Sequence, residues 1–233
     1  MLCLYSGTPG SGKSLHAARL IRDRLRYAKM PVICNFDVSP DLPCYDELFH
    51  YVPNHELTPS FLRDFAVSYW GGSRIKEDSL VVIVDEAQLL FNTRNWSDKN
   101  RFDWIEFLSQ HRHYGYFIVF IAQVDKMIDR QIRALVEYEY KHRKIAHLGR
   151  IGQFLKVLML GRELFVCVQT YHGMRNCKIS SYFFMGSKKL YAVYDSYSTF
   201  TREAPGAEEG AAGTPSDASD GARVNVVRIP QSA

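Results

Sequence analysis

Read for apolar and polar positions, the chain opens on a short apolar strand, Leu2 to Ser6. A strongly basic segment follows, Ser14 to Met30, in which Leu15, Ala18, Leu20, Ile21 and Leu25 mark a helix. Pro31 stops that helix, and Val32 to Phe36 predicts a second buried strand. Residues 37–60 hold four prolines with several Asp and Asn, which predicts a loop with at most one short helical turn. Thr58 ahead of Pro59 has the form of an N-cap with proline at the first helical position, opening a helix through about Tyr69 that Gly71-Gly72 ends.

The uninterrupted aliphatic run Leu80 to Val84 has the pattern of a central parallel strand covered on both faces. Leu89 to Asn100 predicts a polar loop carrying Arg94 and Trp96. Arg101 to Tyr114 predicts a helix, with Trp104, Ile105 and Leu108 at helical spacing and Gly115 as its end. Tyr116 to Ala122 is another buried strand, and Asp129 to Glu139 an amphipathic helix. After about Lys141 the rhythm shortens: Ile151 to Met159, Leu164 to Tyr171, Lys178 to Met185 and Leu190 to Tyr194 predict strands of an antiparallel appendage.

Composition sharpens this division. Hydrophobic residues at 46% and aromatics at 13% are enough for a large core, whereas residues 205–221 are almost free of large apolar side chains and predict disorder. Three parts follow: a core over 1–145, a β-rich extension packed on it over 146–200, and an acidic disordered tail over 201–233. The net charge of +4 hides that asymmetry, because residues 203–233 carry five acids and two bases and leave 27 bases against 20 acids elsewhere. A basic body suits a nucleic-acid or anionic-membrane partner, and ordinary surface charge accounts for it equally well. No stretch reaches the roughly 18 to 20 apolar residues of a membrane-spanning helix. The N-terminus runs straight into a glycine-rich motif, leaving no room for a signal peptide. Five cysteines without a CxxC pair suggest reduced thiols in a cytosolic protein.

That motif, Gly7-Thr8-Pro9-Gly10-Ser11-Gly12-Lys13-Ser14, matches GxxxxGK[ST] between a strand and a helix. Glycines let backbone N–H groups turn inward onto phosphate oxygens, at the positive end of the helix that follows. Lys13 is the candidate to neutralise the β and γ phosphates of ATP, and Ser14 to ligate Mg2+. A second element fits the first: Leu80 to Val84 ends in Asp85 and Glu86, at the strand end where ligands of open α/β sheets bind. Asp85 is the candidate to hold the metal and Glu86 to polarise the attacking water. Gln123, after the Tyr116 to Ala122 strand, could orient that water. Arg112, or Arg94, could act as an arginine finger on a neighbouring subunit's nucleotide, though surface ion pairing explains either alone. The run Lys141-His142-Arg143-Lys144, with His147 and Arg150, could meet phosphates of single-stranded DNA or be a solvated connector. The fold class is therefore α/β, a P-loop NTPase with a mainly parallel sheet flanked by helices and a small C-terminal antiparallel β appendage.

Several runs in this order and spacing resemble the cytoplasmic domain of the zonular occludens toxin (Zot) family. They are the P-loop near the N-terminus, Val32 to Asn35, Val84 to Gln88, Phe107 to Gly115, Ile121 to Gln123, Ile128 to Arg133 and Tyr194 to Tyr197. The resemblance spans about residues 1–200 and implies an assembly ATPase of filamentous phages within the FtsK/HerA-like group. It implies a homo-oligomeric ring that hydrolyses ATP with Mg2+ to extrude single-stranded DNA as coat protein wraps it. Its implied partners are phage coat and assembly proteins and an export channel, at the inner face of the host membrane. The family commonly continues into a transmembrane helix where this sequence has its polar tail, so membrane association is expected only through a partner protein. A P-loop small-molecule or nucleotide kinase is the alternative, kept alive by Arg94 and Arg101 as lid residues. A non-hydrolysing nucleotide switch is disfavoured by Asp85 and Glu86.

Overall fold

The structure, a computed structural model, describes residues 1–91, 98–147, 162–173 and 177–194. At its centre β1 (Leu2–Ser6) runs parallel to β5 (Tyr116–Ile121) on one side and to β6 (Tyr138–Lys144) on the other. Beyond β5 lie β4 (Leu80–Val84), β2 (Val32–Cys34) and the edge strand β3 (Phe49–Tyr51), all parallel. Beyond β6 the direction alternates through β7 (Leu164–Tyr171) and β8 (Lys178–Met185). The described strands thus form one eight-stranded sheet in the order β3-β2-β4-β5-β1-β6-β7-β8.

Alternation along each strand divides the core into two layers. Leu2, Leu4, Val82, Val84, Ile118 and Phe120 pack beneath α3 (Pro59–Trp70) and α5 (Asp98–Gln110). Cys3, Tyr5, Val81, Ile83, Val119 and Ile121 pack beneath α1 (Lys13–Asp23), joined there by Phe165 and Phe184 of the hairpin. Burial on both faces explains why these strands read as continuous apolar runs. Each fully buried aliphatic contributes about 1.5–3 kcal/mol. The helix at Pro59 begins as its sequence suggests, with the Thr58 hydroxyl accepting from Phe61 N–H at 3.2 Å and Gly71 in the left-handed region at its end.

Four local expectations need correction. Asp129 caps a helix that covers only Arg130–Ala134, because Glu137 N–H donates to Leu2 O (2.9 Å) and starts the β6 ladder. The strand was hidden by its charge: Glu139 is buried against the Ser6 hydroxyl (2.6 Å), a pairing with no signature in the sequence. Leu190 to Tyr194 is not a strand. Ser187 caps a helical turn over Lys188–Tyr191, and Leu190 and Val193, three apart, both face the core. The proline-rich stretch contains β3 as well as the short helix α2 (Tyr45–Leu48), and the expected loop after Gln88 is helical over α4 (Ala87–Leu90). Ile151 to Met159, Arg94, Trp96, Arg150, Asp195 to Tyr197 and the tail lie outside the described residues.

Candidate functional site

Because β1, β4 and β5 are parallel, their carboxyl ends share one edge of the sheet, and the chain emerging from each carries chemistry. From β1 the backbone turns through Gly7, Gly10 and Gly12, all at positive φ, into the first turn of α1. Two of these glycines are also required by space. A Cβ on Gly7 would lie 2.5 Å from the His142 carbonyl oxygen, and one on Gly12 would lie 2.7 Å from the Phe165 ring. Gly7 N–H donates to Gln123 O at 3.2 Å, tying the loop to the end of β5.

The loop fits an anion. The first turn of α1 has no acidic residue to neutralise its positive end, and the buried Ser11 hydroxyl has no hydrogen-bond partner. Lys13 Nζ donates to the loop carbonyls of Gly7 (2.7 Å) and Thr8 (3.2 Å). Burial lowers the Lys13 pKa, and the nearby charges of Asp85 and Glu86 oppose that shift. A cavity of about 260 Å³ opens on this loop, lined by Gly10 to Leu15 and by Phe165, Leu190 and Tyr194.

Asp85 follows β4 directly. Its backbone is clamped by Asn35 from the end of β2, whose amide donates to Asp85 O (2.9 Å) while its oxygen accepts from Asp85 N–H (2.7 Å). Its carboxylate accepts from Glu86 N–H (2.8 Å) and from the Tyr194 hydroxyl (2.8 Å). Burial raises the Asp85 pKa, with the Tyr194 and Glu86 hydrogen bonds acting against it. Glu86 itself sits at φ 47, which aims its exposed carboxylate away from the core, and the Gln88 side-chain amide donates to it.

The geometry therefore gathers Gly7 to Ser14, Asp85, Glu86 and Gln123 at one edge, Gln123 being exposed with its backbone on the loop. It places Arg112 elsewhere. The run His111–Tyr114 precedes β5, so Arg112 lies at the edge where the strands begin, about 17–20 Å away by strand length. There it ion-pairs with Glu137, which also accepts from Leu2 N–H (3.1 Å). Arg112 does not approach the P-loop of its own chain. Arg101 faces Asp129 at 3.9 Å. The basic run 141–144 is strand β6: His142 is buried, Lys141 pairs with Glu139 (3.2 Å) and Lys144 with Glu163. Asn35 and Tyr194 are the participants that residue-by-residue reasoning did not assign. Asn35 obeys the rule that exposed Gln123, a polar residue just past a buried strand, whereas Tyr194 is 109 positions from Asp85 and has no local signal.

The family model for "Zonular occludens toxin (Zot)" matches residues 1–200. The chain belongs to the Zot family. Relatives include the "Gene 1 protein" of Enterobacteria phage I2-2, 31% identical over 131 residues, covering 53% of this chain and 36% of that protein. The "Gene 1 protein" of Enterobacteria phage M13 is 26% identical over 213 residues, covering 84% of this chain and 59% of that one. The chain thus spans between about a third and three-fifths of the length of these Zot relatives. Among solved structures, the N-terminal domain of zonular occludens toxin from Neisseria meningitidis aligns at 19% identity and a TM-score of 0.46 over 83% of this chain and 97% of that one. The genome packaging NTPase B204 from Sulfolobus turreted icosahedral virus 2, in complex with AMPPCP, aligns at 12% identity and a TM-score of 0.47 over 78% and 95%. Among the described residues of this Zot-family chain, no helix is long and apolar enough to cross a membrane.

Proposed function

We propose that the chain is the ATPase part of a filamentous-phage assembly machine and that it hydrolyses ATP at the carboxyl edge of its sheet. The observation that carries this reading is the anion-ready helix terminus at Lys13 and Ser14, open to the cavity, with the charges of Asp85 and Glu86 near enough to act on Lys13, in a chain of the Zot family. Backbone N–H groups of Gly10 to Ser14 would receive the phosphates, with Lys13 moving from the loop carbonyls to the terminal phosphate. Ser14 and Asp85 would hold Mg2+, which when bound supplies neutralising charge on the phosphate oxygens. Asn35 keeps the Asp85 backbone in place and Tyr194 orients its carboxylate. Glu86, outside the core and held by Gln88, is the base that would accept the proton of the attacking water, and Gln123 would align that water.

The extruded cargo, single-stranded DNA with coat protein, follows from the family resemblance, as do the assembly proteins and a location at the inner face of the host membrane. The ring reading gains a constraint from Arg112: facing the opposite edge, it can meet only a neighbouring subunit's nucleotide. Hydrolysis should therefore rise with subunit concentration, and a rate per subunit that is constant over a wide dilution range would remove the shared site. For the base, Glu86→Gln is expected to bind ATP like the parent while turnover falls by about 10² or more. Normal turnover in that variant would strike Glu86 from the mechanism.

A further inference from the structure

Beneath the P-loop, on the hairpin side of β1, lies a cluster of side chains that nucleotide chemistry does not use. His16 comes from α1, one turn after Lys13, His142 from β6 and Cys167 from β7. Their donor atoms all lie within 4.8 Å of one another. His16 Nδ1 and His142 Nε2 face each other at 2.8 Å. We propose that His16, His142 and Cys167 form a binding site for a zinc-class cation that pins the P-loop helix to the antiparallel β6–β7 pair.

The donor set has the composition that such a cation selects. Imidazole nitrogen and thiolate sulfur bind Zn2+ at about 2.0–2.3 Å in tetrahedral geometry, which sets neighbouring donors about 3.3–3.7 Å apart. The two nitrogens need only open by about half an ångström to reach that separation. The outer nitrogens are also provided for. His142 Nδ1 lies 3.3 Å from Ser6 O, and His16 Nε2 lies 2.9 Å from the Tyr182 hydroxyl. Each ring can therefore give its remaining N–H to an oxygen while its inner lone pair points at the cation, the arrangement that orients metal-bound histidines. One water would complete the fourth position. The surroundings are aromatic: Tyr5 stacks on His16 with centroids 4.5 Å apart, and Phe184 stands at 5.5 Å. Cys167 is fully buried, and binding converts its thiol to thiolate with release of one proton to solvent.

The placement gives the cation a task. α1 begins at the phosphate cradle, β6 supplies the carbonyl against Gly7, and β7 supplies the Phe165 ring against Gly12. A cation joining the three would fix the walls against which both glycines turn.

The test uses the full chain, purified without chelator and desalted. About one equivalent of zinc should remain by elemental analysis, and Co2+ exchange should give a thiolate-to-cobalt charge-transfer band. Cys167→Ser should abolish that band, whereas Cys44→Ser and Cys177→Ser should keep it. Removing the cation with a chelator should lower the melting temperature of the parent chain, without the same effect on Cys167→Ser. A parent chain that is folded by circular dichroism yet retains no zinc and gives no cobalt band overturns the proposal. That readout stands on the parent chain even if Cys167→Ser is insoluble. A band that survives in soluble Cys167→Ser overturns it too.

Discussion

Arg112 at one edge of the sheet, and Lys13 and Asp85 at the other, hold their charges in opposite ways. At the edge where the strands begin, ionic groups meet each other: the N-terminal ammonium with Asp78 (2.7 Å), and Arg112 with Glu137. At the edge where they end, Lys13 is bonded to loop carbonyls, and the Asp85 carboxylate to a hydroxyl and an N–H. Burial weakens the charged form of both Lys13 and Asp85. Arg112 and the N-terminal ammonium close the fold, whereas Lys13 and Asp85, beside the ion pairs Lys141–Glu139 and Lys144–Glu163, are the charges proposed to be completed by a ligand. The lesson is that a conspicuous arginine is informative only once the edge it occupies is known. The Gln110 to Gly115 run is the more distinctive sequence, yet its described partners serve the turn into β5: His111 Nδ1 donates to Leu108 O at 2.6 Å and Gly115 turns at φ 83.

The contrast breaks most sharply at Lys13. Lys13→Ala removes a side chain bonded only to loop carbonyls, one part-buried and one exposed, so the melting temperature should move little. It also removes a charge-assisted bond to phosphate of about 1.5–3 kcal/mol, so ATP affinity should fall roughly ten- to hundredfold by fluorescence titration or calorimetry. Unchanged affinity would mean that the cradle is not the nucleotide site. Glu137→Ala should do the reverse. It strips Leu2 N–H and Arg112 of an acceptor at the start of the central strand, and about 1–3 kcal/mol of stability should be lost while ATP affinity stays. Arg112→Ala removes only the exposed half of that arrangement and should cost about 0–1 kcal/mol. If it slows turnover in the assembled protein without weakening binding, the finger acts across subunits.

How much of this was legible depended on whether a residue's role is local. The P-loop, the β4 acids and the capped helix at Thr58 were readable because glycine freedom, strand burial and N-capping act within a few residues. Asp85 was legible as a strand-end carboxylate, but its support was not: Asn35 and Tyr194 arrive from distant strands and turns. β6 was illegible for the opposite reason. Its buried Glu139 and His142 are tolerated only because Ser6 and His16 are opposite, and pattern reading treats such residues as solvent-facing. The expected β appendage was right in its antiparallel pairing, yet its strands continue the parallel sheet edge to edge and lend Phe165 to the P-loop wall.

Asp85→Asn tests whether the carboxyl edge is held in a costly state. A carboxyl whose folded pKa is raised above the ordinary 3.8 contributes most below that value, and the contribution is lost as pH rises through the raised one. At neutral pH the ionised Asp85 is therefore a burden on the nucleotide-free chain. The Asn variant should be as stable as the parent or up to about 1 kcal/mol more stable at pH 7, by denaturant titration, and the difference should shrink on acidification. A clear loss of stability at neutral pH would show that the carboxylate is a structural anchor like Glu137.

Tyr194→Phe is the finest probe. The ring packs on Phe36 with centroids 4.3 Å apart, and Val193 O accepts from Ser39 N–H at 2.9 Å, so the segment should keep its place without the hydroxyl. Stability should change by less than about 1 kcal/mol. What the variant loses is the donor to Asp85 Oδ2, one of the two donors that fix the carboxylate. The concentration of Mg2+ needed for half-maximal ATP turnover should rise about three- to tenfold, with ATP affinity in the absence of Mg2+ unchanged. If the Mg2+ requirement stays put while stability falls, Tyr194 is merely packing. If the requirement rises as expected, the Val193–Tyr194 segment is mechanically tied to the carboxylate proposed to bind the metal, and displacement of that segment is a route by which hydrolysis and assembly can be coupled.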